Sequence, residues 1–130
     1  MNALRDDDQL DCVPVLLERA AIRIGRYGWW KSPWGLLLGD DDEPCCIWIA
    51  VSKEVEEFGI AHPHLKHSMQ LVLDAALMDY FSVENILDVY TLNDRQPSHE
   101  GQGWAIYHLN ILALRLRSTQ RRRLRALLSD

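Results

Sequence analysis

A chain of 130 residues with 48% apolar and 25% charged side chains has the length and balance expected of one folded domain rather than of a disordered polymer. The net charge of −5 hides a division. Residues 101–130 carry six arginines against a single acid, whereas residues 1–100 carry eight Lys/Arg against eighteen Asp/Glu, so an acidic body bears a basic C-terminal handle. Three cysteines, Cys12 and the neighbouring Cys45 and Cys46, make a poor disulfide framework and fit reduced thiols. The N-terminal residues contain no apolar signal-peptide core. The longest uncharged stretch, residues 101–114, falls short of the ~18 apolar residues of a membrane span, so a cytoplasmic protein without a membrane segment is expected.

Along the chain, residues 1–11 are polar and acidic and are expected to fray. Pro14 suits the first turn of a helix that continues through Val15, Leu16, Arg19, Ala20, Arg23 and Ile24 and stops near Gly25 or Gly28. Residues 34–38, a turn at 39–44 and residues 45–51 read as a β-hairpin. In its second strand Ile47, Ile49 and Val51 alternate with Cys46, Trp48 and Ala50. Residues 53–61 fit no single element. From Pro63 to about Phe81 the spacing predicts a helix that buries Leu65, Met69, Val72, Ala76 and Tyr80, with Lys66, Gln70 and Asp74 on a wet face. Ser82 is a candidate N-cap for a further helix carrying Val83, Ile86, Leu87 and Tyr90 on one face, and residues 93–103 read as a polar loop. Residues 104–116 favour a buried helix with Ala105, Leu109, Leu112 and Leu116 inward. The alternation at 112–117 leaves a strand open, and Ser118 would cap a last helix that turns Leu124, Leu127 and Leu128 inward. The expected fold is therefore α+β: one single domain over 1–130, with a small hairpin or three-stranded sheet packed among four to five helices.

Two features point to binding. The aromatic loop contributes Tyr27, Trp29, Trp30 and Trp34, residue types that anchor protein interfaces. On a helix, Arg117, Arg121 and Arg125 recur every four residues as a stripe of guanidinium forks suited to carboxylates or phosphates. The cluster around His64 and His67, with Asp74 on the same face, offers only weak candidate metal ligands, because no HExxH or paired CxxC accompanies it. Asp40 to Glu43 reads as a solvated turn without the closing residues of a calcium loop. Adjacent Ser98, His99 and Glu100 do not constitute a triad. No Gly-rich phosphate loop or nucleophile elbow is present.

The expectation is a non-catalytic regulator, inhibitor or adaptor that binds another macromolecule, foremost a protein, needs no cofactor and can form a homodimer. The acidic overall charge disfavours the first alternative, nucleic-acid binding through the arginine helix. A small metal- or thiol-dependent enzyme is the second alternative.

Overall fold

The computed structural model of the protein describes the backbone of residues 6–31 and 44–129, with the side chains of 11–31, 44–120 and Arg122. The elements are α1 (Asp6–Tyr27), α2 (Ile47–Ala61), a 3-10 turn (Pro63–Leu65), α3 (Lys66–Phe81), α4 (Ile86–Asp94) and α5 (Gly101–Ser129). Among the described residues there is no strand, so the fold is helical and the α+β expectation is corrected. No helix among them is long and apolar enough to cross a membrane.

The correction centres on residues 45–51. Their apolar residues fit a doubly covered strand as well as a buried helix, because alternation and a 3.6 period converge when nearly every position is apolar. The fold chooses the helix: Ile47, Val51 and Val55 recur every four residues and are all fully buried. Two of its leading N–H groups find side-chain acceptors. Ile49 N donates to the sulfur of Cys46 at 3.4 Å, and Ile47 N donates to Asn93 Oδ1 at 3.1 Å. The unassigned stretch 53–61 is the continuation of this helix. Among the described residues Cys45 instead forms an isolated parallel bridge with Trp29, in which Cys45 N donates to Gly28 O and Trp30 N donates to Cys45 O. The expected first strand, 34–38, lies outside the described residues.

Other boundaries move as well. Pro14 is buried inside α1 rather than at its start, where its ring removes one backbone donor, and its neighbours Val13, Leu16 and Leu17 are buried as well. α1 ends where Gly28 takes φ +101°, a conformation that suits glycine. In α3 the buried residues are Met69, Leu73 and Leu77, so the inward stripe is rotated from the expected one and Asp74 turns toward α2. Ser82 closes α3 in a left-handed conformation instead of opening the next helix, which Asn85 caps by accepting from Leu87 N at 2.9 Å. The segment 104–116 is helical, with Ala105, Leu109 and Leu112 buried as expected, and α5 runs through Ser118 without a break.

α1 packs most extensively on α5, antiparallel to it. Gln102 donates to the carbonyl of Ile24 near one end, and Arg117 pairs with Glu18 toward the other. Where α5 begins, Gly101 lies against the indole of Trp29, and a Cβ there would fall 2.4 Å from the ring. The ring has little freedom to retreat because its Nε1 donates to Asn93 at 2.7 Å. Gly101→Ala is therefore expected to lower stability by about 1–3 kcal/mol, as overpacking does. Urea unfolding would measure it, and an unchanged midpoint would mean that the indole can swing aside.

Candidate functional site

The polar side of α1 is not uniformly polar. Val15, Arg19, Ile22 and Arg26 fall at i, i+4, i+7 and i+11, and all four are exposed while Val13, Leu16, Leu17, Ala20, Ala21 and Ile24 fill the core. α2 lies beside this face, antiparallel to α1 as the pairs Arg19–Glu57 and Arg23–Glu54 require. Between the two helices runs a groove of about 700 Å³.

Its floor is an ion-pair network. Glu54, with 5% of its side chain exposed, accepts on Oε1 from Arg23 Nε at 3.3 Å and Nη2 at 3.2 Å. Its Oε2 lies 3.2 Å from Arg19 Nε, close enough for ionic attraction but not oriented for a hydrogen bond. Glu57 accepts from Arg19 Nη2 at 3.2 Å and lies 3.7 Å from Arg23. Burying carboxylates is tolerable only with such compensation. Lys53 and Tyr27 also line the groove, and the guanidinium of Arg26 sits 5.8 Å from the Tyr27 ring centre. Above this charged floor stand two exposed isoleucines, Ile22 (68%) on α1 and Ile60 (84%) on α2.

Of the aromatic residues read as a binding loop, Tyr27 lines this groove, whereas Trp29 is buried. Its indole belongs to the core, because the N–H finds an internal acceptor in Asn93. Trp30 is 61% exposed, Trp48 is half-buried, and Trp34 lies outside the described residues. Arg117 ties α5 to Glu18 of α1, and the side chains of Arg121 and Arg125 lie outside the described residues, as does the acidic run 40–43. His64 and His67 are exposed. The Asp74 carboxylate accepts from Trp48 Nε1 and Gln70 Nε2, both at 2.9 Å. Among the described residues no three His, Cys, Asp or Glu side chains converge in a way that could hold a metal. Sequence reasoning missed Arg19, Ile22, Lys53, Glu54 and Ile60 as a set. The available signal was Ile22 on the wet side of an amphipathic helix, but its α2 counterparts sat in the stretch left unassigned.

The thiols are arranged for packing. Burial pushes Cys45 up to about 11 against the opposing pull of Lys53, so it is protonated at neutral pH. Half-buried Cys12 is expected to be alkylated by iodoacetamide well before Cys45 or Cys46 in the folded protein. Peptide mapping after brief labelling checks this, and faster labelling of Cys45 would contradict it.

A second cluster joins α3 to α5. His108 lies within 5.2–5.5 Å of the rings of Tyr80, Phe81, Trp104 and Tyr107, and its Nδ1 is 2.7 Å from the Tyr80 hydroxyl. Burial, and then Arg115, hold the imidazole below its ordinary 6.5, while burial raises Tyr80, so the phenol donates and the neutral ring accepts. The unfolded chain therefore binds the proton more readily. The contribution of His108 is complete above about 6.5 and is lost as the pH falls through that value and the lowered folded one. Between neutral and mildly acidic pH, wild-type protein is expected to lose more stability than His108→Phe. Equal losses in paired denaturation curves would contradict this.

No family model matches the chain, and no curated protein or solved structure matches it.

Proposed function

We propose that this protein is a non-catalytic binding domain, a regulator, inhibitor or adaptor, that engages another protein at the α1–α2 groove. One observation carries the reading: Ile22 and Ile60 stand exposed beside a single groove whose floor is a fixed array of ion pairs. Isolated exposed isoleucines are ordinary. Two of them bordering a charged concavity combine apolar anchoring with electrostatic orientation, the division of labour found at protein interfaces. The groove lining consists of guanidinium, carboxylate, ammonium, phenol and aliphatic groups, chemistry suited to recognition. The alternative use of the arginine helix on nucleic acid loses one of its three arginines, Arg117, to the pair with Glu18.

The test is the double variant Ile22→Asp, Ile60→Asp. Both positions are open to water in the single chain, so at concentrations where it is monomeric the helical content is expected to be unchanged and the unfolding free energy to stay within about 0.5 kcal/mol of wild type. Nuclease-treated affinity capture should lose its groove-dependent proteins. Capture that is unchanged with the variant removes the groove from the binding site.

A further inference from the structure

Resting on the reading of the groove as a protein-binding surface, we infer that its occupant is a second copy of this chain, docked about a two-fold axis running along the groove. The two sides of the groove carry opposite charge. α1 presents exposed Arg19 and Arg26. α2 presents exposed Glu57 together with Glu56, which is also paired with Lys66 at 2.8 Å, while Lys53, the cation lining the α2 side, is buried. A surface with one sign on each side is complementary to its own image rotated about an axis lying between the two sides. That rotation sets α1 of each copy over α2 of the other, basic side on acidic side. A two-fold axis running across the groove would instead set α1 on α1 and confront Arg19 and Arg26 with like charges. Charge therefore selects one of the two face-to-face arrangements, and repeating one contact by two-fold symmetry is the commonest route to an oligomer.

The apolar residues agree with this choice. The pairs Arg23–Glu54 and Arg19–Glu57 fix the antiparallel register of α1 and α2, and one further turn brings Val15 level with Ile60. Rotation about the groove axis preserves level. Val15 of one copy then meets Ile60 of the second, and this contact occurs twice. The exposed pair Arg19–Glu57 can exchange partners across the interface, adding little energy but fixing orientation. Ile22, beside the groove, lies near the axis and can close the centre of the contact. The product is a four-helix arrangement of two antiparallel pairs, a packing that leaves none of these three side chains in water.

Sedimentation equilibrium of the purified protein up to high micromolar concentration tests the inference. A dimer is expected, weakened at least about tenfold by Ile60→Asp, the size of effect that follows loss of a central apolar anchor. For arrangement, Val15→Cys and Ile60→Cys are made separately in a Cys12→Ser background and mixed under mild oxidation. A disulfide-linked pair containing one copy of each is expected, with neither variant cross-linking efficiently alone. A dimer that Ile60→Asp leaves intact, or one in which the mixed pair does not cross-link, overturns the proposed docking. A monomer throughout overturns the second copy as occupant; if groove-dependent capture of other proteins persists, the groove's role in protein binding still stands.

Discussion

Asn93→Ala is expected to lower the unfolding free energy by about 3–5 kcal/mol. Asn93 is fully buried at the meeting point of α2, α4 and the turn after α1. Its Oδ1 accepts from Trp29 Nε1 at 2.7 Å and Ile47 N at 3.1 Å, and its Nδ2 donates to the carbonyl of Trp30 at 3.2 Å and to Asp94. Alanine would leave two buried donors without an acceptor, at about 1–3 kcal/mol each, and would open a small void. The amide also holds together segments distant in sequence, so its loss should free the Trp29 indole and the first turn of α2 together. Urea unfolding followed by tryptophan fluorescence and circular dichroism measures the effect. In a Trp29→Phe background one of the two donors is already absent, and Asn93→Ala should there cost less. A loss under about 1 kcal/mol in the wild-type background would mean that water replaces the amide.

Asn93 also marks the limit of what the sequence discloses. As an amino-acid string it begins a polar stretch, and nothing local distinguishes an asparagine that solvates a loop from one whose partners lie about 46 and 64 residues away. The helical segment with clear periodicity was legible: α3 emerged from spacing, residues 104–116 favoured a helix by length and propensity while leaving a strand open, and Gly28 was a candidate stop for α1. The inward face of α3 was not, because Val72 and Ala76 compete with Leu73 and Leu77 for the core and only the neighbouring helices decide between them. α2 was misread as a strand because residues 45–51 are almost wholly apolar, which erases the period. That error concealed the candidate site. Once Lys53, Glu54, Glu57 and Ile60 belong to no helix, the arginines of α1 have no visible counterpart. The loop tryptophans were likewise grouped as candidate interface anchors, and the neighbours Trp29 and Trp30 divide, one inward and one outward.

Glu54→Ala is the second large effect, expected at about 2–4 kcal/mol of lost stability. Breaking a buried ion pair by removing one member typically costs about 3–5 kcal/mol, because the remaining charge loses its compensation. Here the penalty is reduced, since Glu57 still lies 3.7 Å from Arg23, whose side chain is only 10% exposed. Glu54→Gln should be milder, retaining the shape and a carbonyl acceptor for the guanidinium. The informative variant is the double replacement Arg23→Met, Glu54→Leu. Apolar substitutes of similar volume avoid the desolvation of both charges, and buried pairs so replaced are often neutral or gain stability. If the double variant is as stable as wild type while Glu54→Ala alone is not, the pair is dispensable for folding, and its place on the floor of the groove is explained by what the groove recognises. The dimer should then weaken in the double variant despite its intact fold, because Arg19 would lose the Glu54 carboxylate that helps hold it in place. A double variant that is as stable as wild type and also dimerises normally would leave the Arg23–Glu54 pair with no part in either, and recognition would rest on Val15, Ile22, Ile60 and the exposed Arg19–Glu57 pair.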